Sequence, residues 1–103
     1  MNLQERIDAV VRDLAAYNPE KVILFGSCAR QSADEYSDMD LVIIKETQDN
    51  FLERSKKAVL LIQVPGAVDI FVYTPEEFER MKNSGNPFME KVLEEGKVIY
   101  EKR

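Results

Sequence analysis

Phe25-Gly26-Ser27 closes one apolar stretch of the chain, and Asp38-Met39-Asp40 opens another that continues as Leu41-Val42-Ile43-Ile44. Both stretches are short and β-prone, and they predict buried strands over residues 21–25 and 39–44. A Gly-Ser turn behind a strand exposes backbone N–H groups that can hold a phosphate. Two aspartates at i and i+2 of a strand face one side, so both carboxylates can bind one hard cation. This combination predicts metal-assisted phosphoryl or nucleotidyl transfer.

Outward from these two strands, the chain alternates between helical and extended patterns. Apolar residues at three- and four-residue spacings predict the helices, and short β-prone runs between turn residues predict the strands. The predicted helices are residues 3–17, 28–32, 51–62, 75–82 and 87–95, and the predicted strands are residues 21–25, 39–44, 67–73 and 97–100. The order αβαβαβααβ predicts an α/β (α+β) fold, in which helices pack on a small mixed β-sheet.

The helix predicted over residues 51–62 has an apolar side and a charged side. Its apolar residues fall roughly in phase and are expected to face the core; they are Leu52, Ala58, Val59 and Ile62. Its charged residues are expected to face water, as on an ordinary amphipathic surface helix; they are Glu53, Arg54, Lys56 and Lys57.

Composition excludes several classes of function. The chain has 103 residues, which predicts one domain over residues 1–103, and its net charge of −5 does not favour sequence-independent binding to long DNA or RNA. It has no histidine, which excludes a His general base, a Ser-His-Asp triad and a His-based zinc site. Cys28 is the only cysteine, and neither a signal peptide nor a membrane-spanning run is recognised. We therefore expect a reducing, cytoplasmic location without membrane attachment.

The pair Asp38 and Asp40 can be interpreted either as ordinary solvent-exposed residues or as functional ones. In the first interpretation, Asp38 belongs to a loop and Asp40 is a solvated residue at the start of a strand. However, four β-prone apolar residues follow Asp40, so its carboxylate loses hydration unless a partner compensates its charge. No basic residue adjoins it in sequence, and a bound Mg²⁺ would compensate it. The functional interpretation is therefore favoured.

Asp69 is a second acidic residue inside a β-prone run, Val68-Asp69-Ile70-Phe71-Val72. It could be a surface residue on an edge strand or near a strand start. The functional interpretation places it beside the Asp38 and Asp40 pair on a neighbouring strand, which would complete a three-carboxylate site for two metal ions. In that site Asp69 could also accept the proton of the acceptor group.

The Gly26-Ser27 turn is a weak signal when taken alone, because an ordinary strand-to-helix turn with a serine N-cap has the same residues. Ser27 gains weight because a helix N-terminus stabilises an anionic phosphate. Arg30, one turn further on, is either a surface arginine or a forked donor to a triphosphate, and the sequence leaves both open.

Together these residues resemble the minimal nucleotidyltransferase family of the DNA polymerase beta superfamily. The family signature is a Gly-Ser, a spacer of about this length, an Asp-x-Asp and a third Asp on a later strand. Here these are Gly26-Ser27, Asp38-Met39-Asp40 and Asp69, and the usual extension of the Gly-Ser reads Cys28-Ala29-Arg30-Gln31, with Gln31 in place of glycine. The resemblance covers essentially the whole chain.

The resemblance implies a polymerase-beta-like nucleotidyltransferase fold that uses ATP and Mg²⁺, with two metal ions expected. By likeness, Gly26 and Ser27, with Arg30, would bind the triphosphate, and Asp38, Asp40 and Asp69 would be the metal ligands and catalytic residues. Members of this group often act as antitoxins that transfer AMP to a tyrosine of a HEPN-type toxin. The resemblance thus implies a HEPN-type toxin partner. It leaves open a homo- or hetero-oligomer, the nucleotide preference and the acceptor residue.

Two alternatives to protein adenylylation remain at this point. The chain could neutralise its partner by occlusion alone, with a vestigial carboxylate site, although all three aspartates are retained. It could also transfer a nucleotide to a small molecule or an RNA end. The acidic composition and the lack of room for a second domain argue against the latter.

Overall fold

The computed structural model describes residues 1–29 and 38–103, and in them the predicted order of elements is confirmed. The helices are α1 (Leu3–Leu14, continued by a 3₁₀ turn over Ala15–Tyr17), α2 (Phe51–Val59), α3 (Pro75–Asn83) and α4 (Pro87–Glu95). The strands are β1 (Lys21–Phe25), β2 (Met39–Ile44), β3 (Val68–Tyr73) and β4 (Lys97–Glu101). The short helix predicted over residues 28–32 lies mostly outside the described residues. Within the described ranges no helix combines the length and the apolar character needed to cross a bilayer.

In the described part of the chain the strands form one mixed sheet in the order β3-β2-β1-β4. Strand β1 pairs antiparallel with both β2 and β4, whereas β2 and β3 are parallel. Helix α2 lies on the crossover between the two parallel strands, as a parallel connection requires. Strand β2 is therefore internal and buried on both faces, as its unbroken apolar run predicts.

Alternate residues of the strands face two separate apolar clusters. Helices α1 and α2 cover one face, where the buried residues include Val10, Leu14, Leu24, Leu41, Ile43, Ala58 and Val72. Helices α3 and α4 cover the other face, where the cluster contains Ile23, Phe25, Val42, Ile44, Phe78, Met89 and Val92, with Phe71 and Phe88 packed against it. The functional residues described below lie at one edge of this second face.

Capping residues fix the beginning and end of the two helices on that face. Thr74 and Glu77 form a capping box at the start of α3: the Thr74 hydroxyl accepts from Glu77 N–H at 3.2 Å, and the Glu77 carboxylate accepts from Thr74 N–H at 2.9 Å. Asn86 caps α4, and Gly96 ends it. These local signals explain why the sequence predicts both helices to within one residue.

Helix α2 departs from its prediction in the direction that its side chains face. Leu52 was expected in the core, but it is 73 % exposed, and Val59 is also exposed. Arg54 was expected to face water, but it is buried. The prediction was wrong because the spacing of apolar residues takes no account of the ion pair and hydrogen bonds that stabilise a buried guanidinium. Here Arg54 meets Glu77 and two backbone carbonyls, so its charge is compensated inside the fold.

The same helix is also shorter than the predicted 51–62. It ends at Val59, and the next three residues form a tighter turn in which Leu61 N–H donates to Ala58 O and Ile62 N–H to Val59 O. Leu61 and Ile62 still pack against the core from this turn. Their apolar character therefore extended the helical pattern beyond the true end.

Candidate active site

Gly26 makes the turn directly after β1 in a conformation that an L-residue side chain disfavours. Its φ is +77°, and Ala29 N–H donates to its carbonyl at 3.1 Å. A Cβ atom at this position would lie 2.5 Å from Oδ2 of Asp40. The absence of a side chain thus serves two purposes: it permits the turn, and it lets the Asp40 carboxyl lie against the turn backbone.

Strand pairing brings Asp40 and Asp69 side by side. Asp40 is the partner of Phe25 in the antiparallel β1–β2 pair and of Asp69 in the parallel β2–β3 pair. Since neighbouring strands lie about 4.8 Å apart, equivalent side chains on one face come within contact. Both residues share the face that α3 and α4 cover, because Val42 and Phe71, each two residues further along, belong to that cluster. Asp69 is close enough to Asp40 for its charge and its side chain to act on the pKa of the Asp40 carboxyl.

Asp38 lies just before β2 and is exposed. Its backbone carbonyl accepts a hydrogen bond from the Cys28 thiol at 3.3 Å. This contact joins the turn after β1 to the start of β2, so the two halves of the sequence motif are held together. Cys28 itself is buried.

The carboxyl of Asp40 is the electrostatically strained group of this cluster. Burial raises its pKa, and the negative charges of Asp69 and Asp38 and a side-chain hydrogen bond shared with Asp69 raise it further. The positive charge of Lys91 acts in the opposite direction. Removing a carboxylate from water next to like charges disfavours its ionised form, so this corner of the protein attracts a cation.

The donor chemistry of this cluster fits a hard divalent cation such as Mg²⁺. Among residues 1–29 and 38–103, no group of three or more His, Cys, Asp or Glu side chains is arranged so that it could hold a metal ion by itself. Asp40 and Asp69 nevertheless provide an adjacent pair of carboxylates. Mg²⁺ is commonly bound by one or two carboxylates together with waters and substrate phosphates, and therefore needs no complete protein cage. The three-carboxylate ligand set of Asp38, Asp40 and Asp69 stays a prediction.

Of the three phosphate-binding residues predicted from sequence, the structure describes two. Gly26 and the half-buried Ser27 lie in the turn beside Asp40. Arg30 lies outside the described residues, so its predicted contact with a triphosphate stays a prediction.

Lys91 is a cationic residue that acts on this cluster and that sequence reasoning did not identify. It is an exposed residue of α4 whose positive charge acts on Asp40. Fifty-one residues separate the two in sequence (40 to 91). No local motif surrounds Lys91, and only the packing of α4 on the sheet relates it to the aspartates.

A glycine turn next to two paired carboxylates, on a small mixed sheet, defines the class of nucleotidyltransferases. The chain belongs to the polymerase beta nucleotidyltransferase family, whose pattern it matches over residues 9–103. It is 35 % identical over 82 residues to a Methanocaldococcus jannaschii protein named as a protein adenylyltransferase, a match covering 79 % of this chain and 78 % of the relative. The chain is thus a nucleotidyltransferase, as its motif predicts.

Solved structures share this fold at low sequence identity. A nucleotidyltransferase from Sulfolobus solfataricus aligns with a TM-score of 0.62 and 20 % identity over 97 % of this chain and 80 % of its own. A toxin–antitoxin crystallised with AMP-PNP aligns with a TM-score of 0.60 and 19 % identity, over 94 % and 74 %. The MntA–HpeT toxin–antitoxin aligns with a TM-score of 0.58 and 19 % identity, over 93 % and 72 %. These likenesses confirm the predicted fold class.

Proposed function

We propose that this nucleotidyltransferase transfers AMP from ATP to a hydroxyl group of a partner protein, and that the transfer neutralises a toxin. The observation that carries the proposal is the pairing of Asp40 with Asp69 directly against the Gly26 turn. The name of the M. jannaschii relative supports protein adenylylation. The toxin–antitoxin neighbours, one of them with AMP-PNP, support a toxin partner.

In the proposed reaction the acceptor oxygen forms a bond to the α-phosphorus of ATP. The bond from that phosphorus to the oxygen bridging the β-phosphate breaks, and pyrophosphate leaves with the bonding electrons. The acceptor proton passes to a carboxylate. Asp69 is the proposed acceptor of the proton, because it is exposed at the edge of the sheet while Asp40 is half-buried.

The roles of the other residues follow from the same arrangement. The backbone of Gly26 and Ser27 would hold the triphosphate, and Asp38, Asp40 and Asp69 would bind Mg²⁺, with two ions proposed. When bound, these ions supply charge neutralisation on the phosphates. We propose a HEPN-type toxin as the partner and a tyrosine as the acceptor.

The test uses ATP labelled on the α-phosphate, Mg²⁺ and the product of the neighbouring gene, where that gene encodes a small helical protein. We expect the partner to become labelled by the wild type and not by Asp40→Asn. ATP labelled on the γ-phosphate should leave the partner unlabelled, because that phosphate departs with pyrophosphate. The control is Asp8→Asn, which removes an exposed carboxylate of α1 that accepts a hydrogen bond from Gln4 of the same helix.

Each outcome of this experiment decides between the proposed function and occlusion. Equal labelling by the wild type and by Asp40→Asn, or no labelling by either, would overturn AMP transfer. Neutralisation of the toxin in cells by Asp40→Asn at the wild-type level would favour occlusion instead.

A further inference from the structure

Helix α4 is fixed next to the carboxylate pair by an aromatic cluster. The Phe88 ring meets Phe25 edge-on at 5.5 Å between centroids and Phe71 at 5.3 Å, while Phe25 and Phe71 are 6.2 Å apart. Phe25 is the register partner of Asp40, and Phe71 lies two residues after Asp69 on the same face. The first turn of α4 is therefore held against the residues that border the site.

Lys91 follows Phe88 by three residues, so the two side chains lie on the same side of α4. Val92, the next residue, is fully buried against the sheet, and this fixes the rotation of the helix. These constraints place Lys91 on the border of the acidic cluster. The effect of its positive charge on Asp40 agrees with that placement.

Lys91 is also available for a ligand. It is exposed, and it forms no ion pair with the carboxylates of the described residues. Lys57 and Lys21, by contrast, are each held by a carboxylate: Lys57 pairs with Asp49 at 2.7 Å, and Lys21 pairs with Glu101 at 3.2 Å. A free ammonium beside a carboxylate cluster reduces the repulsion that the cluster exerts on a polyanion.

We propose that Lys91 binds the polyphosphate of the incoming nucleoside triphosphate, and so counteracts the repulsion between the triphosphate and the aspartates. Lys91 is then a substrate-binding residue contributed by α4, separate from the Gly26-Ser27 turn. This inference rests on the nucleotide site of the proposed function, but not on the identity of the acceptor.

The experiment measures the Kd of Mg-ATP by calorimetry for the wild type and three variants. Lys91→Gln removes the charge and should weaken binding by about 3- to 10-fold. Lys91→Arg keeps the charge and should stay within about twofold of the wild type. Lys56→Gln is the matched control, because it removes one exposed positive charge from α2 on the opposite face of the sheet and should leave the Kd unchanged.

Ionic strength provides a second readout of the same contact. Raising the salt concentration should weaken Mg-ATP binding to the wild type more than binding to Lys91→Gln, because salt screens the ammonium–phosphate attraction. Equal affinities of the wild type and Lys91→Gln would overturn the role of Lys91 and leave nucleotidyl transfer intact. Equal weakening by Lys91→Gln and Lys56→Gln would also overturn it, because the effect would then be one of net charge. No binding of Mg-ATP by the wild type would overturn this role together with the nucleotide site.

Discussion

Strand β3 begins at one charged cluster and ends at another, and the two clusters are built in opposite ways. At its beginning, Asp69 faces Asp40, so carboxyl meets carboxyl. Beyond its end, Glu77 meets the guanidinium of Arg54. The pKa of Asp40 is raised, first by burial and then by the charge of Asp69, whereas the pKa of Glu77 is lowered, first by its hydrogen bond with Arg54. The chain thus compensates the Glu77 carboxylate with its own arginine, whereas the Asp40 carboxyl faces further negative charge.

The compensated cluster connects three elements of the fold. Arg54 Nη1 lies 2.6 Å from Oε1 of Glu77, and Nη2 lies 3.4 Å from Oε2, in a forked arrangement. Arg54 also donates to the carbonyls of Asp49 at 2.8 Å and Val72 at 3.3 Å. One buried side chain therefore joins α2, β3 and the first turn of α3.

The contrast indicates where the protein stores electrostatic strain. Like charges packed together cost stability and persist where function requires them, whereas a satisfied buried ion pair serves the architecture. Charge removal should then act oppositely at the two clusters. In the Asp40–Asp69 cluster it should lower activity and raise the stability of the metal-free protein. In the Arg54–Glu77 cluster it should lower stability.

The largest effect is expected for Asp69→Asn. Loss of Asp69 as a proposed metal ligand and proton acceptor should reduce AMP transfer by roughly 10³-fold. The same substitution should raise the stability of the metal-free protein by up to about 1 kcal/mol, because it removes a like-charge pair across two strands. Transfer assays and thermal unfolding in EDTA check the two parts. A lower Tm for the variant in EDTA would contradict the view that this cluster is strained.

Gly26→Ala should have the next largest effect on activity. The new Cβ would collide with the Asp40 carboxyl and displace it, and a misplacement of about 1 Å at a reacting centre can cost about 100-fold in rate. Gly85→Ala is the matched control: its φ of +70° brings similar backbone strain, but its Cβ would find only Glu90 Oε1, at 3.6 Å. Both variants should lose about 1–2 kcal/mol of stability. Equal activities for the two would argue against a role for Gly26 at the site.

Glu77→Gln should destabilise the fold with little effect on transfer. The guanidinium of Arg54 would stay buried without its carboxylate, at a cost of about 1–3 kcal/mol. Urea unfolding measures this loss. Glu76→Gln on the same helix is the control, because its pair with Arg80 at 3.2 Å is exposed and should contribute less than about 1 kcal/mol. Equal losses for the two variants would show that burial of Arg54 gives its ion pair no special weight.

The smallest effect concerns pH. The pKa of Glu77 is lowered in the folded protein from its ordinary 4.5, so its ion pair stabilises the fold above that value. The contribution decreases as pH falls below about 4.5 toward the lowered pKa, where Glu77 takes up a proton. The difference in unfolding free energy between wild type and Glu77→Gln should be constant from pH 7 to about pH 5.5 and shrink below pH 4.5. A difference that grows on acidification would contradict this assignment.

Much of the fold could be predicted from interactions between residues that are close in sequence. The strands could be predicted because their apolar runs are short, β-prone and closed by turn residues. The helices α3 and α4 could be predicted because Thr74, Asn86 and Gly96 supply caps that act within one turn. The motif residues could be proposed as a site because each is unusual in its own neighbourhood, as with Asp69 in the middle of an apolar run; their roles stay a prediction.

The amino-acid sequence is enough to predict the helices and strands, and to single out the acidic residues that are unusual within apolar strands. Three features depend on packing: Asp40 and Asp69 share one register position, Arg54 is buried against Glu77, and the charge of Lys91 acts on Asp40. The difference comes from the distance along the chain over which each interaction acts. Propensity, capping and turn formation act between residues a few positions apart, whereas charge compensation depends on distances through space that only the packing of helices on the sheet establishes.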